Sequence, residues 1–407
     1  MRAYRWVVEA VLFFTYFVFG ISWLAWSPLM PEVERHFGVA HARAGLLVSL
    51  VSVAKAFVPL LAGLLAARLG LRRALLVGAG LAAVALVAPL MPGFDTLLAA
   101  RLVFGVGGAI VVTLTGPMAM QWFSRDELPL VNGLNNVSVN TGVTVAMFAV
   151  PPLASRLGWQ ATLVMLGGLC ALAAMLWAML GREAVTVEAA RASSDDGGSL
   201  RDVLRTRETW VLALAFTGPL SLYLALNTWL PTHLQGAFGL SRAGAAQLTG
   251  LFNMVGIPTA LVGGWLTTRL GLRRPLIVLA GTLMPFAALG LCLSAAPAVR
   301  VASAVALGAA FFMYVAPLFT IPMELPGASP RRVALMLGVV YSASYLASFV
   351  SPLAVGWLQE ATGSFAPGFV LFAVGSAALA VGGVLLPETG PAAVTARRLG
   401  RSALVAA

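Results

Sequence analysis

The chain has 407 residues, of which 60% are hydrophobic and 10% are charged, and its mean hydropathy is +0.92. A soluble domain carries about a quarter charged residues, so this composition excludes an ordinary soluble protein and predicts an integral membrane protein. The formal charge of +11 has to be interpreted from the placement of the arginines. The two cysteines lie in apolar segments, and this position indicates neither a disulfide framework nor a metal site.

Apolar runs separated by glycine, proline and charged residues predict an all-α membrane protein with twelve spanning helices. The short basic start, residues 1–6, runs into the first apolar segment without a small-residue cleavage site, so we expect no removable signal peptide. The predicted spans, numbered 1 to 12 below, cover residues 6–30, 44–67, 74–91, 95–121, 129–153, 160–180, 210–231, 244–268, 275–295, 300–323, 333–357 and 367–386.

One long polar stretch separates spans 6 and 7 and divides the chain into two halves. We predict an N-terminal six-helix bundle at residues 1–181, a cytoplasmic linker at 182–209, a C-terminal bundle at 210–390 and a cytoplasmic tail at 391–407. With both termini in the cytoplasm, 19 arginines are cytoplasmic, five face outward, and Lys55 and Arg101 lie inside spans. This asymmetry predicts a multi-pass protein of the cytoplasmic membrane, with basic loops that contact lipid headgroups and no nucleic-acid partner.

The two halves contain an internal repeat. Residues 63–73 (GLLAARLGLRR) follow span 2, residues 264–274 (GWLTTRLGLRR) follow span 8, and eight of the eleven positions are identical at an offset of 201. Such a duplication is typical of transporters that alternate access to a site near the middle of the membrane. The fold predicted from the sequence is therefore two pseudo-symmetric six-helix bundles.

These features together resemble the major facilitator superfamily across nearly the whole chain. Span 4 contains Arg101 followed by glycines at 105, 107 and 108, which is similar to a second motif of that family. The resemblance implies transport by alternating access, with the repeated loops acting in the conformational change. It assigns that role to Gly63, Arg68, Gly70, Arg72 and Arg73, and to Gly264, Arg269, Gly271, Arg273 and Arg274. The acidic residue usual in this motif is replaced by Ala67 and Thr268, so the family's charge latch is expected to be weaker or made differently.

Two segments resemble the cyanate, nitrate and nitrite porters of that superfamily, namely residues 122–136 and 359–365. That resemblance implies small anions as substrates. The span-5 motif of drug–proton antiporters is poorly matched, because Gly142 is followed only distantly by Pro151 and Pro152.

Lys55 is the most informative residue, because it is the single lysine of the chain and lies in the middle of span 2. At about 1.5 Å per residue it is about 16 Å from either end of the span, which places a charge near the bilayer midplane. We expect Lys55 to bind an anionic substrate and to take up a proton with it, since lysine can lose its proton and arginine does not. The alternative is a lysine that snorkels or is held by backbone carbonyls.

Other charged groups inside the spans are few. Arg101 either completes the anion site or is a structural arginine bonded to neighbouring helix ends. Glu9 is the acid that falls within a span, near its cytoplasmic end, and Glu324 lies at the end of span 10. The lack of an acid at mid-membrane disfavours cationic substrates. The three histidines, His36, His41 and His233, fall in outward loops or helix ends and are expected to be solvated.

Polar and aromatic residues inside the spans supply further candidates for the substrate path, with helix–helix hydrogen bonding as the alternative. The aromatic run of span 1 is expected mostly to pack or to face lipid, except for Trp23 at mid-membrane depth. The candidates are Trp23, Asn136, Asn140, Tyr223, Asn227, Asn253, Tyr314, Tyr341 and Tyr345.

The sequence contains no phosphate-binding glycine loop, no metal-ligand cluster and no nucleophile triad, so we predict neither an enzyme nor a cofactor. The predicted function is secondary transport of a small anion, with protons as a possible co-substrate, by a monomer in contact with membrane lipids. The alternatives are efflux of amphipathic drugs or metabolites, favoured by a wide aromatic cavity, and a non-transporting sensor or lipid flippase with the same fold.

Overall fold

The structure is a computed structural model that describes residues 4–123, 127–184 and 199–392, and every regular element in these ranges is a helix. Within these ranges eleven helices are long and apolar enough to cross a membrane, and a bent helix, Leu46–Leu69, makes the twelfth. Its two parts meet at 57° between Pro59 and Leu61, where the proline removes one backbone hydrogen bond of the helix. The twelve predicted spans are therefore present.

The N-terminal half comprises Tyr4–Leu24 with Met30–Phe37 (span 1), Leu46–Leu69 (span 2), Leu71–Ala82 with two 3-10 turns to Leu90 (span 3), Phe94–Trp122, Leu128–Leu157 and Trp159–Leu180. The C-terminal half comprises Arg207–Phe238, Arg242–Leu270, Arg274–Leu293, Pro297–Met313 with Val315–Glu324, Pro330–Ser348 with Val350–Thr362, and Ala366–Ser376 with Ala378–Leu385. Two short helices, His41–Ala44 and Leu200–Arg205, lie outside the spans.

Spans 1 and 7 are longer than predicted. A 3-10 turn at Ser27–Leu29 carries span 1 on to Phe37, and span 7 is one helix from Arg207 to Phe238. Both ends follow the same rule, because Gly38 and Gly239 have left-handed φ values of 62° and 65° that only glycine adopts without strain. These glycines are 201 residues apart, so the sequence repeat is also a structural repeat.

We name the two ends of the molecule by their residues. The linker face is the end where Leu180 and Arg207 lie, and the distal face is the end where Phe37 and Phe238 lie. Spans 1 and 7 meet near the distal face, where the hydroxyl of Ser27 donates to the carbonyl of Thr228 at 3.0 Å. Because these residues are also 201 positions apart, the bond lies where the two repeats face each other.

Contacts between the two halves close the distal face. Glu32 forms an ion pair with Arg242 of the other half, and the backbone N–H of Ala42 donates to Glu360 at 2.7 Å. The backbones approach so closely that a side-chain carbon on Gly356 would lie 2.6 Å from the Ala42 nitrogen. The ring of His41 packs edge-on against Trp229 of the C-terminal half.

Toward the linker face, by contrast, spans 2 and 8 present large apolar side chains outside the packed protein. Leu61 and Leu64 of span 2 are 60% and 61% exposed, and Leu261 and Trp265 of span 8 are 62% and 59% exposed. The two halves are thus joined at the distal face, while the linker-face ends of these spans are exposed.

The ion pair between Glu32 and Arg242 is expected to hold the distal face closed. A partly exposed pair contributes up to about 1 kcal/mol, so Arg242→Ala should raise the population of the open form by about two- to fivefold. The measurement is the rate at which a maleimide labels Ser27→Cys, because Ser27 is fully buried at this contact. The charge swap Glu32→Arg with Arg242→Glu should restore slow labelling, and an unchanged rate in Arg242→Ala would show that the pair does not hold the contact.

The pair formed by His41 and Glu34 near the distal face makes the stability of the protein depend on pH. The hydrogen bond between His41 and Glu34, at 2.7 Å, raises the pKa of His41 above its ordinary value of 6.5, and partial burial opposes this shift. The pair therefore stabilises the protein fully below about pH 6.5, and its contribution is lost as the pH rises through the raised pKa. His41→Gln should lower the melting temperature at about pH 5.5 and have little effect at about pH 9. An equal effect at both values would mean that only the packing of the ring matters.

Candidate functional site

Lys55 lies in the middle of span 2 and its ammonium is enclosed by aromatic rings. Its Nζ lies 3.6 Å from the ring centroid of Trp23 and 5.3 Å from those of Phe19 and Tyr345. Trp23 and Phe19 belong to span 1, whereas Tyr345 belongs to span 11 of the other half. The side chain is 8% exposed. The cation therefore sits where the two halves meet and is held by interactions with ring faces.

The ammonium has no charged partner. In residues 4–123, 127–184 and 199–392, Lys55 forms no ion pair, and no hydrogen bond from its Nζ is found there. Ring faces attract a cation but neither neutralise it nor accept strong N–H bonds. The site thus carries one uncompensated positive charge.

Tyr345, which contacts this charge, is linked to four of the other five tyrosines of the chain. Tyr345 stacks on Tyr341 at 6.4 Å, and Tyr341 stacks on Phe319 at 5.0 Å. Tyr16, Tyr223 and Tyr314 also lie within electrostatic range of Tyr345. In the described part of the chain, none of these five hydroxyls forms a hydrogen bond within the protein. They remain able to bind a ligand.

The structure thus brings together six of the residues that the sequence singled out, which are Lys55, Trp23, Tyr223, Tyr314, Tyr341 and Tyr345. Two members of the cluster were missed, since Tyr16 and Phe19 were assigned to the packing run of span 1. The spacing of residues 16, 19 and 23 places them on one helical face, and this signal was available in the sequence.

Two of the four predicted asparagines pair with each other between spans 7 and 8. Asn253 donates to the side chain of Asn227 at 2.9 Å and to the carbonyl of Thr249, and Asn227 donates to the carbonyl of Tyr223. Both amides are fully buried, which is the helix–helix bonding that the sequence left open. Asn140 is half-buried in span 5, and the side chain of Asn136 lies outside the part that the structure describes.

Arg101 makes the structural contacts that the sequence left as an alternative. Its guanidinium donates to the carbonyls of Leu47, Ser22 and Trp23 at 2.8, 3.0 and 2.9 Å, and the residue is 1% exposed. One side chain therefore ties span 4 to spans 1 and 2. One of these carbonyls belongs to Trp23, and another, that of Leu47, belongs to the helix that carries Lys55. Arg101 therefore fixes the backbone on both sides of the contact between Lys55 and Trp23.

Replacement of Arg101 by lysine keeps the charge but removes the planar fork of donors. Since a hydrogen bond to a charged group contributes about 1.5–3 kcal/mol, we expect Arg101→Lys to lower the free energy of unfolding by at least about 2 kcal/mol. Thermal unfolding of the purified protein measures this effect. Arg156→Lys, at an exposed position in the last turn of span 5, is the matched control and should leave stability unchanged. A neutral Arg101→Lys would contradict the structural role.

The repeated loops at the linker face are stabilised by acids that lie elsewhere in the chain. The carboxylate of Glu388 accepts the backbone N–H groups of Arg273 and Arg274, and that of Glu183 accepts the N–H of Arg72. In the C-terminal half Glu324 also forms a two-pronged ion pair with Arg273, at 2.6 and 3.1 Å. The carboxylates of Glu183 and Glu388 lie at helix N-termini, where the helix dipole favours negative charge.

The side chains of the same loops bind backbone carbonyls. Arg72 donates to Ala178 and Gly181 at the end of span 6, and Arg274 donates to Gly383 and Val384 in span 12. The remaining predicted loop residues are placed as follows: Gly70 and Gly271 have φ values of 84° and 60°, while Gly63, Arg68, Arg73, Gly264 and Arg269 have partly or largely exposed positions. The missing acid of the motif is therefore replaced by contacts from the ends of spans 6, 10 and 12.

One expectation about the histidines was wrong. His233 is 4% exposed, not solvated, and bonds to the carbonyl of Cys292 at 2.8 Å, because span 7 continues beyond its predicted end and buries this turn. In the ranges described above, no three histidine, cysteine, aspartate or glutamate side chains lie together as metal ligands would.

Comparison with known proteins gives a family for this architecture. The family model of the Major Facilitator Superfamily matches residues 12–331. A nitrite extrusion protein of Bacillus subtilis (strain 168) is 26% identical over 285 residues, covering 68% of this chain and 67% of that protein. A probable sulfoacetate transporter, SauU, of Cupriavidus necator is 25% identical over 389 residues, or 89% of each chain.

A solved structure shares the fold. The crystal structure of a D-xylose-proton symporter superposes with a TM-score of 0.75 at 14% identity, covering 95% of this chain and 98% of that one. At this identity the likeness concerns the fold alone.

Proposed function

The chain belongs to the Major Facilitator Superfamily and is a multi-pass membrane transporter, not an enzyme, and from this premise we propose that it moves a small anion by alternating access around Lys55. The observation that carries the proposal is the buried ammonium at the contact of the two halves, with no counter-charge in the described residues. An anion is the ligand that this charge attracts.

The cost of the charge explains why a ligand is needed. A lysine at the centre of a membrane helix costs about 2.5–3.5 kcal/mol on insertion scales, and such residues generally face a binding path. The ring faces of Trp23, Phe19 and Tyr345 offset part of this cost. An anion would offset the rest and would bridge the halves, because Lys55 belongs to one half and Tyr345 to the other.

The direction of access follows from the arginines. The linker face carries the basic loops, so we infer that it is cytoplasmic and that both termini lie there in the cytoplasmic membrane. In this orientation the structure represents the form that is closed toward the outside. The site would then exchange its ligand with the cytoplasm in this form and with the outside after the distal contacts separate.

Coupling to protons is the finer part of the proposal. A lysine can exist without its proton in an apolar environment, whereas an arginine remains charged. If Lys55 gains a proton when the anion binds and loses it when the anion leaves, anion and proton cross together and no net charge moves. The relatives named for nitrite and sulfoacetate support an anionic substrate, and they do not specify the coupling.

Efflux of amphipathic compounds is the second candidate, because the walls of the site are aromatic. The buried cation opposes it for lipophilic cations, which would be repelled by Lys55 at close range. Neutral compounds could use the rings, but they would leave the ammonium without a counter-charge. An anion therefore fits both the ammonium and the aromatic walls of the site, whereas a neutral compound fits only the aromatic walls.

The test is stabilisation of the purified protein by a panel of small anions, with wild type beside Lys55→Gln, at about pH 6 and about pH 8. A ligand at 100 times its Kd stabilises the folded state by about 2.7 kcal/mol, so binding raises the melting temperature whatever the direction of transport. We expect at least one anion to stabilise wild type, more strongly at the lower pH, and to have no effect on Lys55→Gln.

Arg156→Gln removes an exposed positive charge of the same half and should respond like wild type. Equal stabilisation of wild type and Lys55→Gln by the same anion would refute the role of Lys55. For any stabilising anion, saturable uptake into proteoliposomes separates a transporter from a sensor. Stabilisation of both forms by bulky lipophilic compounds, with no response to anions, would favour efflux.

A further inference from the structure

We propose that the anion is a small planar aromatic carboxylate, whose carboxylate pairs with Lys55 and whose ring lies among the aromatic side chains of the two halves. This inference rests on the proposed function and makes it specific. The observations are the arrangement of rings around Lys55, the free tyrosine hydroxyls and the number of hydrogen-bond donors near the charge.

The rings form two stacked groups, one from each half. In the N-terminal half, Phe19 is stacked with Trp23 at 6.0 Å and an interplanar angle of 22°, and with Phe104 at 5.1 Å and 25°. In the C-terminal half, Tyr345 is stacked with Tyr341 at 25°, and Tyr341 with Phe319 at 24°. Lys55 contacts both groups, at Trp23 and at Tyr345. A flat ring attached to an anion at Lys55 would meet ring faces or edges from both halves.

The hydroxyls give the site a polar rim. Those of Tyr16, Tyr223, Tyr314 and Tyr341 lie within electrostatic range of Tyr345 and form no hydrogen bonds within the described residues. A phenol both donates and accepts a hydrogen bond, so these groups can bind a hydroxyl or another polar substituent on a ligand ring. A purely apolar ligand body would leave them without partners.

Other anions fit less well. An inorganic oxyanion is bound best by several converging donors such as a bidentate arginine, and Arg101 instead donates to the carbonyls of Leu47, Ser22 and Trp23. Such an ion would also gain nothing from the aromatic area. A saturated carboxylate would gain contact area but not the stacked and edge-to-face geometry that aromatic pairs prefer.

The experiment compares ligands that differ in one property, on the full chain in detergent. Benzoate and cyclohexanecarboxylate have the same charge and nearly the same size, but only benzoate is flat and aromatic. We expect benzoate to bind about tenfold more tightly than cyclohexanecarboxylate, and more tightly than acetate or nitrate, by isothermal titration calorimetry at about pH 6. We also expect 4-hydroxybenzoate to bind more tightly than benzoate.

Variants locate the effect. Tyr341→Phe removes one hydroxyl and keeps the ring, so it should reduce the advantage of 4-hydroxybenzoate while benzoate binding is retained. Tyr345→Leu should weaken benzoate binding by a larger factor than acetate binding, because it removes a ring that only benzoate can stack on. Tyr4→Phe is the matched control, because Tyr4 is the sixth tyrosine and donates to the carbonyl of Leu180 at the linker face, away from Lys55.

The outcomes separate this inference from the proposed function. Binding of nitrate or acetate as tight as that of benzoate, and dependent on Lys55, would overturn the aromatic specificity and leave anion transport intact. Equal affinities for benzoate and cyclohexanecarboxylate would also overturn it, since the rings would then act only as apolar surface. If none of these anions binds in a way that depends on Lys55, both proposals are wrong.

Discussion

The buried ammonium of Lys55 is the constraint on which the arrangement of the site depends. A cation at mid-membrane depth must be stabilised without a fixed acid, because a permanent ion pair would remove its attraction for a ligand. Ring faces meet this requirement, since their attraction is weaker than that of a carboxylate and leaves the charge in place. Trp23 and Tyr345 approach from opposite halves, so stabilisation of the charge and contact of the halves are the same event.

Arg101 shows the opposite solution for a buried cation in the same half. Its N–H groups donate to the carbonyls of Leu47, Ser22 and Trp23, so the guanidinium is fully engaged in contacts that hold the helices together. The difference follows from chemistry, because a planar guanidinium can satisfy several fixed acceptors at once, while a flexible ammonium can change partners and lose its proton. The arginine fixes the backbone that positions Trp23, whereas the ammonium of Lys55 has no ion-pair partner in the described residues and stays available for the proposed anion.

Features that depend on local sequence were predictable. The twelve spans follow from hydrophobic length, the repeat from identity at an offset of 201, and the burial of Lys55 inside span 2 from its position in the middle of an apolar run. Features that depend on which helices meet were not. The pairing of Asn227 with Asn253, and the caps that Glu183 and Glu388 provide to distant loops, join residues 26 to 115 positions apart. Single-sequence periodicity contains no information on such partners.

The site is asymmetric although the two halves are duplicated. The repeat equivalent of Lys55 is Gly256, where an added side-chain carbon would lie 2.1 Å from the ring of Phe312, so packing leaves no room for a second charge. The N-terminal half supplies the cation and the C-terminal half supplies four of the five tyrosines. In the proposed function, a ligand that pairs with Lys55 and contacts these tyrosines would touch both halves at once, and its binding energy would favour forms in which the halves approach each other. In a symmetric site each half could bind a ligand alone, whereas in the proposed site binding would be coupled to the relative position of the halves.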